Sequence, residues 1–341
     1  MKLDSLQLSR ALQLLLRTTP ILVIRLGAVI AFWVVALIYL AVVGGVAWLV
    51  GQAIEIVGVI LFIIALTGVI PLYQLAYRYV FFMLKAAHIA VISELLTNDN
   101  VPSGTNQLSW GKERVKERFG EVNVMFVVDE LVTGVVKAFT NSVYRFTAWI
   151  PGDSVRTLVQ VVNRVIQFAM NYIDEAVMSR SFTQQEKNVW ANARDGVTLY
   201  AMVWKPLLMN AIALMIISYI PFVVALILFS APVGFLLAAI SPQLAGWAII
   251  FTLILSYLIK TAVGDSFAMA AMIAAYHRET AGLQPNPEMT AKLDQVSDKF
   301  QELAQRAQEQ VGRFTEHKDT PAPTKPDDAP PPIQPDADAT T

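Results

Sequence analysis

Four long stretches of this chain are predominantly apolar, and they fall in two pairs. Residues 26–50, LGAVIAFWVVALIYLAVVGGVAWLV, and 57–77, VGVILFIIALTGVIPLYQLAY, make the first pair. Residues 207–230, LLMNAIALMIISYIPFVVALILFS, and 244–263, LAGWAIIFTLILSYLIKTAV, make the second. At about 1.5 Å of rise per residue, about 20 apolar residues cross the ~30 Å hydrocarbon core of a bilayer. The pattern predicts an all-α integral membrane protein of two transmembrane helical hairpins, four spans in all, with a cytoplasmic or interfacial helical region between them.

The polar positions fix the expected orientation. Of 26 basic residues, four lie in 1–25, fourteen in 78–205 and eight in 260–325. The linkers inside each pair, GQAIEI and APVGFLLAAISPQ, hold none. Basic loops stay on the cytoplasmic side, so both termini and the central region are expected inside. The opening segment is not read as a cleavable signal, because its apolar run continues to Val50 instead of stopping after a short core. A bacterial inner membrane is the expected plasma membrane.

The resulting division is a cytoplasmic pre-helix (1–25), hairpin 1 (26–77), an amphipathic helical region (78–205), hairpin 2 (206–263), an amphipathic tail of span four (264–286), an amphipathic or coiled-coil helix (287–317) and a disordered Pro/Asp-rich tail (318–341). The two halves also align in parallel: Pro20 with Pro206, Trp48 near Phe235, Gly58 near Gly246 and His88 near His277. This suggests an internal duplication.

Within 78–205 the patterning predicts one long helix over 110–149, a turn at IPGDS, a second helix to about 180, and a third opened by TQQE at 183–186. The first two carry wide apolar faces and narrow polar stripes. Folded at Pro151–Gly152, they bring like charges level, with Asp129 and Glu130 beside Asp174 and Glu175. Unpaired like charges are costly to bury, so both stripes are expected to face water. The tip places Arg145, Phe146, Trp149, Ile150 and Arg156 together. That set suits an anionic lipid surface or a protein partner, and Trp149 alternatively suits the core.

Charges at the ends of the spans are expected to mark the membrane boundary: Arg25, Arg78, Lys260 and Asp265. Lys260 would snorkel to the head groups and Asp265 would stand in water. The alternative for this pair is an intramembrane ion or proton site. Polar or helix-breaking positions inside the spans are few, and Pro71, Gln74, Asn210 and Pro221 are the candidates for a transport path. Apolar residues at 289, 293, 296, 300, 303 and 307 have heptad spacing, which suits a short coiled coil or a helix packed on its own chain.

Composition narrows the chemistry. The chain is 55% apolar and 16% charged, with a mean hydropathy of +0.51 and a net charge of −1. That balance gives no footing for nucleic acid. With no cysteine, disulfides and thiolate ligands are excluded. No phosphate loop, dinucleotide fingerprint, HExxH or GxSxG occurs. His88 and His277 fall on the amphipathic tails and are expected to be solvated or interfacial. No cofactor, metal or catalytic residue is expected, and no enzyme.

VRTLVQVVNRVIQFAMNYIDEAV followed by NVWANARDGVTLYAMVWKPLLMNAIALMI, with ALQLLLRTT at 11–19, resembles the C-terminal half of the choline transporter-like proteins. The match covers less than a third of the chain, which lacks that family's extra spans and cysteine-bearing external loop. The resemblance implies transport of a small organic cation. Two functions are therefore expected to compete. One is an oligomeric membrane scaffold that presents cytoplasmic helices to protein or lipid partners. The other is an oligomeric transporter or channel for a small solute or ion.

Overall fold

The computed structural model describes residues 7–102, 105–120, 122–147, 167–168, 170, 172–184 and 188–318. Among them there is no strand. The principal helices are α1 (Leu8–Arg17), α2 (Thr19–Ala53), α3 (Glu55–Thr97), α4 (Gln107–Phe119), α5 (Val122–Thr147), α6 (172–183), α7 (Val189–Met202), α8 (Trp204–Ile240), α9 (Ala248–Glu279), α10 (Pro287–Val296) and α11 (Asp298–Lys318), with one further turn of helix at Pro242–Ala245. Four of these, α2, α3, α8 and α9, are long and apolar enough to cross a membrane. This is a membrane protein.

Local chemistry sets the ends. Thr18 separates α1 from α2 and returns its hydroxyl to Leu14 O at 2.9 Å, while Pro20 occupies the first turn of α2, where its missing N–H costs nothing. Asn106, Asn188 and Asn286 each accept a backbone N–H at the start of α4, α7 and α10. Gly120, at φ 68°, ends α4 and splits the long helix expected over 110–149. The helix expected from TQQE instead starts at Val189, after the Asn188 cap.

α2 turns back into α3 through the single extended residue Ile54 and packs on it antiparallel. Gly51 and Gly58 meet so closely that a Cβ on Gly58 would lie 2.3 Å from Gly51 Cα. Farther in, Phe32 meets Tyr73 edge-to-face with centroids 5.6 Å apart. α8 breaks at Ser218–Tyr219 and resumes with Pro221 in its first turn. It then pairs with α9, where a Cβ on Gly264 would lie 2.1 Å from Ser218 O. α3 and α9 each contain one five-residue π-helical turn, Tyr77–Phe81 and Lys260–Gly264.

The hydrophobic core lies beyond the apolar spans. In their most apolar stretches, 11% of positions are buried in α2, 11% in α3, 17% in α8 and 28% in α9. By contrast, Ala86–Ser93 of α3 and Ala268–Tyr276 of α9 are buried on every side. These two inner extensions are the central helices of a domain walled by α1, α4–α7, α10 and α11. The tail of span four was expected to be amphipathic, and the structure corrects this. An Ala/Met-rich helix that is apolar all round has no water-facing side and is stable only when enclosed.

The heptad positions of the C-terminal segment are used inside the chain. Leu293, Phe300 and Leu303 are fully enclosed, Ser297 breaks the helix between them, and only Val296 of that seam is exposed. α11 lies on α7: Asn188 donates to Ala307 O at 2.8 Å, and Arg194 bonds Asp294 at 2.9 Å while its guanidinium covers the Phe300 ring at 4.7 Å.

Candidate functional site

The polar groups converge where the inner ends of the apolar helices enter the domain. Arg25 of α2 points inward. Its Nη1 donates to Ser266 Oγ at 2.9 Å and lies 3.0 Å from His88 Nδ1. A guanidinium has no acceptor, so Nδ1 accepts and Nε2–H is left to donate to Thr18 Oγ1 at 2.9 Å. One buried chain of hydrogen bonds thus links α2, α3, α9 and the α1–α2 joint. His88 and His277 were expected to be solvated or interfacial, but both lie inside. His277 Nε2 lies 2.7 Å from Ser179 Oγ, which itself donates to Ala176 O.

Lys260 and Asp265 pair with each other. The Lys260 side chain is only 10% exposed, and its Nζ lies 2.6 Å from Asp265 Oδ1. The same oxygen accepts the Tyr172 hydroxyl at 2.8 Å, and the ammonium sits 4.9 Å from the Tyr219 ring centroid. Positions five apart meet because the π turn between them bonds i to i+5, where an α-helix pairs i with i+3 or i+4. Thr252, Ser256 and Lys260, four residues apart, form one buried stripe along α9, with no hydrogen-bond partner at Ser256 Oγ.

Beside this pair lies a second concentration of charge. Lys85 of α3 reaches Glu175 of α6, with Nζ 2.8 Å from Oε1 and side chains 16% and 7% exposed. Asp174 accepts from Thr133 Oγ1 at 3.1 Å and from the Glu175 backbone N–H at 2.9 Å. The same ammonium also acts electrostatically on Asp129 of α5. Glu175 Oε2 is enclosed and has no hydrogen-bond partner.

One ammonium beside two buried carboxylates and the half-buried Asp129 leaves negative charge in a medium that solvates it poorly. Burial pushes Asp129 up to about 7, Lys85 pulls it back, and Asp174 and Glu130 add to the rise. Burial likewise pushes Glu175 up to about 8, against Lys85 and with Asp174 and Asp129. Burial raises the Tyr172 phenol too, reinforced by Asp265. The stripes were expected to face water, but Asp174 and Glu175 go inside. Lys85 makes this tolerable, and its position inside FFMLKAAHIAV is the signal that sequence reasoning passed over.

The remaining predicted positions are scattered. Pro71 and Gln74 are exposed on α3, and Pro71 leaves that helix unbroken. Asn210 is 3% exposed, on the part of α8 that packs against α9, and its Nδ2 has no partner. Pro221 stands at the break in α8. Arg78 does not join the cluster; its guanidinium covers the Phe126 ring at 5.2 Å. The side chains of the tip set Arg145, Phe146, Trp149, Ile150 and Arg156, together with the tail after residue 318, lie outside the described residues. Among the described residues no group of three or more His, Asp or Glu is placed to hold a metal ion. Comparison with protein-family models, curated proteins and solved structures returns no match.

Proposed function

We propose that this protein is a non-enzymatic membrane scaffold: two transmembrane hairpins, related by duplication, hold a cytoplasmic helical domain against the inner face of a plasma membrane. The observation that carries this reading is where the core sits. The spans bury little of themselves within one chain, while the inner ends of α3 and α9 are the enclosed centre of the domain. A single copy therefore supplies no walled path through its spans, and its exposed apolar faces are left for lipid and for further copies of the chain. The paired π turns at the inner ends of α3 and α9 support the duplication.

A specific observation favours the transporter or channel as the second reading. The buried stripe Thr252–Ser256–Lys260 leads from the apolar part of α9 to the charge cluster. Purified protein reconstituted into liposomes separates the two. The scaffold reading expects no flux of protons, alkali cations or small organic cations above empty vesicles, and cross-linked oligomers in the membrane. Flux abolished by Ser256→Ala or Asn210→Leu would establish transport instead.

A further inference from the structure

Glu175 Oε2 is shut away from water and from every donor, although its side chain is more than nine-tenths buried and stands among two other carboxylates. A bare carboxylate oxygen in that position is costly. A metal ion does not fit the donor set, and Lys85 is already committed to Oε1. The remaining species small enough, and of the right charge, is a proton.

We propose that Asp129 and Glu175, held with the Asp174 carboxylate about Lys85 where the helical domain meets the membrane helices, form a proton-binding site that is occupied in the docked domain and empties to solvent as the domain loosens. The site faces charged and titratable groups from every element around it. These are Arg25 on α2, Tyr77 and Lys85 on α3, Asp129 with Glu130 on α5, Tyr172 and Asp174 on α6, and Asp265 on α9 through Arg25. Asp129 and Glu175 share the proton, so its release belongs to the pair and not to one residue.

The direction follows from the raised values of Asp129 and Glu175. A carboxyl that holds its proton more tightly when folded stabilises the fold fully below the ordinary carboxylate range. That contribution is lost as pH rises through about 7 and about 8. The seam between α6 and α3 should therefore loosen on the alkaline side. The proposal concerns this seam alone and stands whether the spans scaffold or transport.

The test uses the full chain in lipid nanodiscs. Infrared difference spectra between pH 6 and pH 9 should show a protonated-carboxyl stretch at the acid end that disappears at the alkaline end. Hydrogen exchange of α6, corrected for intrinsic base catalysis, should rise about tenfold over the same interval, the size of a one-unit coupling. Asp129→Asn and Glu175→Gln should each remove most of both signals, while α10 stays unchanged. Should Glu175→Gln not fold, Asp129→Asn carries the test, because Asp129 is only half-buried. The proposal is overturned if the wild type shows no such band at pH 6. It is equally overturned if the band and the exchange change survive Asp129→Asn, Asp174→Asn and Glu175→Gln.

Discussion

Arg25 and Ser266 stand 241 positions apart and are joined by a hydrogen bond of 2.9 Å at the root of the membrane helices. The same guanidinium nitrogen lies 3.0 Å from His88 Nδ1, so one side chain ties the first helix pair to the tail of the second. Replacing Arg25 with Met leaves two enclosed polar groups without their donor. We expect Arg25→Met to destabilise the full chain by about 1–3 kcal/mol, the cost of orphaned buried groups. Thermal unfolding in nanodiscs measures this, and an unchanged midpoint would show the tie to be idle.

Lys85 and Glu175 should behave as a coupled pair. Removing one partner of a buried ion pair typically costs about 3–5 kcal/mol, whereas replacing both by apolar groups costs far less. Lys85→Met should accordingly be severe, and Lys85→Met with Glu175→Met milder than the sum of the two single changes. Denaturant unfolding of all four proteins completes the cycle; strictly additive effects would mean that the two charges do not sense each other.

Close approach of backbones sets the spacing in the first helix pair. Gly58→Ala places a methyl group 2.3 Å from Gly51 Cα, while nothing lies within 4 Å of a Cβ on Gly27. We expect Gly58→Ala to cost about 1–3 kcal/mol through overpacking, and Gly27→Ala to be neutral or slightly stabilising. If the two variants melt together, the contact is not tight in the membrane.

The C-terminal seam should respond as core and not as an oligomer interface. Phe300→Ala is expected to lose about 3–5 kcal/mol with no change in cross-linked species. Val296→Lys, at an exposed position, should stay within about 0.5 kcal/mol. Loss of oligomers in Val296→Lys would restore the coiled-coil reading.

Topology is directly accessible because the chain contains no cysteine. A thiol placed at exposed Gln52, by the α2–α3 turn, should react with an impermeant maleimide added outside intact cells. One placed at exposed Gln284, between α9 and α10, should react only after permeabilisation. Reaction of both from outside would overturn the proposed orientation.

Much of this architecture was legible in the chain. Runs such as VVALIYLAVV have no polar face, and a helix of that kind has few places to go but lipid. The four long apolar helices follow from this directly. The inner extensions were harder to read. FAMAAMIAAYH carries a His and ends in charge, so it reads as amphipathic, yet its small residues let neighbouring helices enclose it completely. The candidate site was half visible. Asp129, Asp174 and Glu175 could be placed side by side from helix spacing, but the burial of Glu175 goes with Lys85, a long-range partner that no local pattern supplies.

The two π turns have a mechanical consequence. Each inserts the equivalent of one extra residue, and one residue is about 100° of rotation around a helix of 3.6 residues per turn. The stretch of α9 before Lys260 and the stretch after Gly264 therefore present different sides of one continuous rod, one addressed to the bilayer and the other to the domain. Deleting Ala262 would keep nearly all the chemistry and swivel the inner half by about a third of a turn, aiming Met269 and Met272 away from the neighbours they now fill.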